Sequence, residues 1–150
     1  MLRMSKMTDY GTAVMTYLAR EPQRIHAASE IAEQLHMSLT TVSKILKTLA
    51  RAGLVHAQRG TKGGYALIRA ASEISMAEII DAMEGPIGLT ECTTTPGQCE
   101  QERSCSVRAN WEQINDVVRN ALEGVTLAAM VTPPGVQRVT FSRPATATRP

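Results

Sequence analysis

The run Ser29–Val55, SEIAEQLHMSLTTVSKILKTLARAGLV, decides the fold. Ser29 reads as an N-cap, and Ile31, Ala32 and Leu35 supply a short apolar face at helical spacing. His36-Met37 predicts a turn. Ser38 then caps a second helix in which Val42, Ile45, Leu46 and Leu49 share one face. Gly53 falls where a helix-terminating glycine belongs, and Leu54-Val55 returns the chain to the core. Two short helices joined by a tight turn, the second polar at its start, predict a helix-turn-helix.

The sequence continues LVHAQRGTKGGYALIRA from Leu54 to Ala70. This predicts a strand, a glycine-rich tip and a returning strand. Gly60, Gly63 and Gly64 open turn conformations closed to other residues, and Arg59 and Lys62 flank the tip. A basic hairpin directly after a helix-turn-helix makes a winged helix. The expected class is therefore mainly α, with a small β-hairpin wing.

Upstream, a first helix is expected from Thr8 to about Ala19, with Tyr10, Val14, Tyr17 and Leu18 on one face. Glu21-Pro22 ends it, because proline cannot continue the hydrogen-bond ladder. Downstream, SMAEIIDAMEG predicts a helix capped by Ser75 and stopped at Gly85-Pro86. After a polar loop, Val107, Trp111, Ile114, Val118, Ala121, Val125 and Ala128 recur in alternating steps of four and three. That is an a/d seam, which predicts one long dimerisation helix; the alternative is an amphipathic helix packed on its own domain. Gly124 is a weak point inside it, costing about 1 kcal/mol relative to alanine. From Thr132 the chain is rich in Pro, Thr and Arg without periodicity and reads as a disordered tail. The expected division is 1–86 winged helix, 87–106 cysteine loop, 107–131 dimerisation helix and 132–150 tail.

Aromatics are only 3% of the 150 residues, so the core must be built from Leu, Ile, Val, Ala and Met. The net charge of +2 hides an asymmetry. From Gln34 to Ser72 there are six Lys or Arg and no acid, whereas Glu73 to Glu123 holds ten acids and three bases. The first half suits a polyanion. Within it, Ser38, Thr40, Thr41, Ser43 and Lys44 lie at the start of the recognition helix, where hydroxyls and methyls meet base edges and phosphates. Lys44 and Lys47 suit phosphates, and Arg59, with Lys62 beside it, suits a narrow minor groove. Double-stranded DNA is the expected partner. Winged helices also serve as protein-interaction modules, but unbroken positive charge argues against that use here.

All three cysteines, Cys92, Cys99 and Cys105, fall in one polar loop. No apolar run approaches the ~18 residues of a membrane span, and the N-terminus has no signal-peptide pattern, so a cytoplasmic, reducing setting is expected. There, an odd set of thiols points to metal or redox sensing rather than to a disulfide framework. The spacings are C-x6-C and C-x5-C, wider than zinc knuckles, and wide spacing suits an iron–sulfur cluster. Backbone amides of Thr93, Thr94, Thr95 and Gly97 could bond cluster sulfides. A fourth ligand must come from elsewhere: Asp9, Glu91, Glu100, Glu102, a histidine or a small molecule. A metal-free thiol switch and a zinc-stabilised regulator stay open. An enzyme does not fit: no His/Asp constellation flanks the loop, and GTKGG lacks nucleotide-binding spacing.

The order MLRMSKMTDYG, SEIAEQLHMSLTTVSKILKTLARAGLV, RGTKGGYAL, a helix, three loop cysteines and a long helix resembles the IscR/NsrR family of iron–sulfur winged-helix repressors. MTDYGTAVMTYLA and LTECTTTPGQCEQERSCSVRANWEQIN look most like the proteobacterial regulators of the SUF cluster-assembly operon. The resemblance implies a homodimer crossing through the long helix, on a pseudo-palindromic operator. It implies one cluster per subunit, [2Fe-2S] or [4Fe-4S], on Cys92, Cys99 and Cys105. IscR-like members carry a histidine ligand three residues after the last cysteine, where this chain has Arg108. NsrR-like members use an aspartate of the partner subunit's first helix, a position Asp9 matches. Asp9 also fits a first-turn acid favoured by the helix dipole. The first cysteine gap is one residue longer than the family's usual five.

Overall fold

The computed structural model describes residues 3–95 and 97–132, so the expected tail lies almost wholly outside the described residues. Helix α1 (Lys6–Arg20) leads into α2 (Ala28–Gln34) and α3 (Leu39–Arg51), the helix-turn-helix pair. The hairpin β1 (Val55–Gln58) and β2 (Gly64–Leu67) follows, then a short 3-10 turn at Ala71–Glu73 and α4 (Met76–Glu84). The cysteine segment holds a one-turn helix, α5 (Glu91–Thr94), and precedes α6 (Arg108–Glu123) and α7 (Leu127–Val131). The chain is mainly α with a winged-helix arrangement.

One core closes this unit. Val14, Met15 and Leu18 of α1 meet Ile31 of α2 and Val42, Ile45, Leu46 and Leu49 of α3. Leu54, Val55, Leu67, Ile74, Ile79 and Leu127 complete it. Each fully buried Leu, Ile or Met contributes about 1.5–3 kcal/mol of hydrophobic transfer. The periodicity that selects the helices is thus the same feature that clamps α3 in place.

The turn between α2 and α3 closes as expected. His36 adopts φ +52°, and Met37 N–H donates to the Ala32 carbonyl at 2.9 Å. Ser38 caps α3, its hydroxyl accepting from Thr41 N–H at 3.1 Å. Gly53, at φ +74°, ends α3 in a left-handed conformation that a side chain would strain.

The hairpin is antiparallel, pairing Val55 with Leu67 and Gln58 with Gly64. His26 adds a third rung: its N–H donates to the Tyr65 carbonyl at 2.9 Å, and Tyr65 N–H returns a bond at 2.8 Å. A Cβ at Gly64 would drive into the His26 carbonyl, so this glycine lets the wing dock on the segment before α2.

Three boundaries differ from expectation. Helix α1 begins at Lys6 rather than Thr8, because Ser5 caps it by accepting from Thr8 N–H at 3.2 Å. Helix α2 begins at Ala28; Ala27 occupies the cap position without a side-chain bond, and Ser29 lies inside the helix. The third difference concerns the long helix, which is broken. Helix α6 ends at Gly124, and Thr126 caps α7 by accepting from Ala129 N–H at 3.2 Å. The linker pairs with the start of α4: Met76 N–H donates to Val125 and Leu127 N–H to Ile74, both at 2.8 Å. Leu127, not Val125 or Ala128 of the heptad series, is the fully buried residue and packs into the winged-helix core.

Candidate nucleic-acid interface and cysteine loop

Burying Val42, Ile45, Leu46 and Leu49 forces the opposite face of α3 outward. A shallow surface hollow there is lined by Leu39, Thr40, Ser43, Lys44, Lys47 and Arg51. Lys44, Lys47 and Arg51 are exposed, and none forms an ion pair among the described residues. Uncompensated cations on a convex helix attract phosphates. Ser38 and Thr41 are tied to each other, hydroxyl to hydroxyl, at 2.7 Å, so they set the entry of α3 as much as they offer donors. Arg59 and Lys62 are exposed at the wing tip, where Gly63 N–H donates to the Gly60 carbonyl at 3.0 Å. They too lack acidic partners among the described residues. Leu39 and Arg51 escaped the sequence reading; the signal for Arg51 was its spacing of four from Lys47.

At the other end of the unit, Asp9 is exposed in the first turn of α1 and shares a surface hollow with Arg3, Lys6 and Glu84. It makes no ion pair among the described residues. The neighbouring acid is committed. Glu84 accepts from the Thr8 hydroxyl at 2.5 Å and from Ser5 N–H at 2.7 Å. These bonds, Thr8's first, hold its carboxyl below the usual carboxylate range. Ser5, Thr8 and Glu84 therefore pin α1 to α4 and leave Asp9 available.

The segment before the cysteines is anchored by side chains far away in sequence. Asn115, 7% exposed, accepts from Leu89 N–H at 3.1 Å and donates to the Ile87 carbonyl at 3.4 Å. Asp81 accepts from Ile87 N–H at 3.0 Å and pairs with Arg119 at 2.9 Å. That pairing, with Glu123 adding to it, raises the pKa of Arg119. Helices α4 and α6 thus hold both ends of the 85–90 turn.

Cys92, Cys99 and Cys105 are all free thiols of intermediate exposure. Cys92 sits in α5, its Sγ sharing a 3.2 Å hydrogen bond with the Thr90 hydroxyl. The loop is closed by Glu102, whose carboxylate accepts from Gly97 N–H at 2.5 Å and pairs with Arg108 at 3.0 Å. Arg108 also donates to Glu112 at 2.8 Å. Its pKa is raised, by the Glu112 hydrogen bond first and then by the Glu102 charge.

The loop amides bond within the loop: Thr93 and Thr94 N–H donate to Thr90, Thr95 N–H to Glu91 and Gly97 N–H to Glu102. The thiols are not gathered, for among the described residues no three His, Cys, Asp or Glu side chains converge as a metal-holding group. The donor chemistry fits an iron–sulfur cluster, since three free, accessible thiols on one loop are the ligands such a group takes. The loop must draw them together to hold one. His26 is buried, edge-on to Tyr17, and serves the core.

Beyond this loop, Val107 at the start of α6 and Trp111, Ile114 and Val117 within it are 49%, 39%, 45% and 64% exposed. No helix among the described residues is long and apolar enough to cross a membrane.

Comparison with known proteins agrees with this geometry. The model of the Rrf2 family, described as an iron-dependent transcriptional regulator, matches residues 4–133. The HTH-type transcriptional regulator IscR of Photorhabdus laumondii is 29% identical over 131 residues, spanning 87% of this chain and 79% of that protein. Among solved structures, CymR, the global cysteine regulator of B. subtilis, is similar with a TM-score of 0.69 at 30% identity, covering 87% of this chain and 97% of that one. IscR of T. potens is similar with a TM-score of 0.66 at 27% identity, covering 87% and 86%.

Proposed function

The chain belongs to the Rrf2 family of transcriptional regulators, which are DNA-binding proteins and not enzymes, and we propose that it is a cytoplasmic repressor gated by an iron–sulfur cluster. The observation that carries the cluster reading is the set of three free, half-buried thiols on the loop that runs directly into α6. Cys92, Cys99 and Cys105 would hold the cluster, and Asp9 of the other subunit, exposed and unpaired among the described residues, would supply the fourth ligand. When bound, the cluster supplies thiolate-held iron that responds to oxidation and to competing ligands.

The chain's own residues do the rest. Residues 1–86 act as the DNA-binding unit, with Ser38, Thr40, Thr41, Ser43, Lys44 and Lys47 in the major groove. Arg59 and Lys62 reach the flanking backbone and minor groove. Residues 107–131 pair two copies through the apolar face of α6, and two-fold symmetry then calls for a pseudo-palindromic operator. Thiols drawn together on the 87–106 loop would tie it to α1 of the other subunit. That tie would fix the distance between the two α3 helices. A few kcal/mol of differential affinity between the two loop states suffices for control. Genes of cluster assembly, of the SUF type, are the proposed targets.

A second reading, a metal-free thiol switch, would use the same three free thiols. One experiment decides between them. Iron and acid-labile sulfide are measured on protein purified anaerobically, for the native chain and for Cys99→Ala. The cluster reading predicts iron and sulfide in near-equal amounts in the native chain and neither in the variant, with both chains folded. Colourless, metal-free native protein would establish the thiol switch instead.

A further inference from the structure

The outward face of α3 has an unusual inventory for a helix that reads bases. From Leu39 to Arg51 it contains no Asn, Gln, Asp or Glu. Carboxamides are the side chains that pair with adenine in the major groove, and carboxylates are those that accept from cytosine. Neither is present. What remains is a set of cations, small hydroxyls and one large apolar side chain, Leu39, 51% exposed at the first position of the helix.

An exposed leucine by itself means little. This one has three properties that set it apart. It stands at the N-terminal end of α3, the end that enters the groove. It lines the same hollow as Thr40, Ser43, Lys44 and Lys47, so it lies among the groups expected to touch DNA. It also lies outside the core cluster, so packing of the fold does not explain it. The one apolar group that a base displays in the major groove is the C5-methyl of thymine.

We propose that Leu39 is a specificity-determining residue that recognises the thymine methyl in each half-site of the operator. The inference rests on the DNA-binding reading above and deepens it. Thr40, whose γ-methyl adjoins, widens the same apolar spot. Lys44 and Lys47 hold the helix against the phosphates and leave base choice to this contact.

The test replaces thymine by deoxyuridine, which removes the methyl and leaves every hydrogen-bonding atom in place. The operator is first obtained by selecting random duplex DNA with the full-length native protein. Each thymine of one half-site is then exchanged in turn. One exchange should weaken native binding about fourfold, the value of burying one methyl group. Leu39→Ala should bind the thymine operator about as weakly as the native chain binds the deoxyuridine one, and should not respond to the exchange. Leu39→Val, which retains apolar contact, should keep part of the response.

If native protein is insensitive to every exchange, or Leu39→Ala keeps full sensitivity, Leu39 does not read thymine, although the DNA-binding reading stands. Failure of the native protein to select any sequence overturns both.

Discussion

Arg59 stands at the wing tip with no carboxylate paired to it among the described residues, while most guanidiniums of the acidic half are paired. Arg108 and Arg119 spend their charge on Glu102, Glu112, Asp81 and Glu123. The contrast separates cations that build the fold from cations left for a polyanion. Arg59→Ala should therefore leave the melting temperature nearly unchanged and weaken operator binding. Its log–log salt slope should fall by about one per subunit, read by titration at several salt concentrations. These residues were legible in the sequence because charge exclusion is a local property: no acid occurs between Gln34 and Ser72. Leu39 was not legible, since a leucine beside Ser38 looks like one more core residue until its exposure is known.

The same contrast holds for elements. The helix-turn-helix, the wing and α4 could be read because each carries its own periodicity and its own cap, as Ser38 and Ser75 do. The break between α6 and α7 could not, because the heptad series runs through Gly124 without interruption. The pairing of Val125 and Leu127 with Met76 and Ile74, across about fifty positions of sequence, fixes it together with the Thr126 cap. The anchoring of the cysteine loop was hidden for the same reason: Asn115 and Asp81 are remote from the backbone groups they hold. Asn115→Leu should leave the half-buried Leu89 N–H without its acceptor, at a cost of about 1 kcal/mol. Hydrogen exchange should find that amide selectively exposed, while amides of α3 keep their protection. Protection retained at Leu89 would mean that the 85–90 turn is held by other contacts.

At the scale of the whole molecule, the winged-helix unit closes its core with Leu127 and leaves the apolar stripe of α6 outside. A second copy is the occupant proposed for this stripe, through an a/d-like apolar seam closed by two-fold symmetry. Trp111→Glu with Ile114→Glu should convert a dimer to a folded monomer by sedimentation, and should roughly halve the salt slope of DNA binding by removing one subunit's phosphate contacts. A dimer that survives both charges would place the interface elsewhere. The candidate cluster site spans scales in the same way. Its three thiols are visible in sequence, whereas the clamp of Glu102 on Gly97 and Arg108 that closes the loop is visible only in three dimensions.

Gating is the claim on which the rest depends, and operator affinity as a function of cluster occupancy tests it most directly. One anaerobic preparation is divided, half is stripped with an iron chelator, and both halves are titrated against the selected operator at one salt concentration. The account predicts affinities differing at least tenfold, about 1.4 kcal/mol, with a difference that vanishes in Cys99→Ala. Equal affinities of loaded and stripped native protein would contradict it, leaving a DNA-binding regulator whose cysteine loop does not control its grip on DNA.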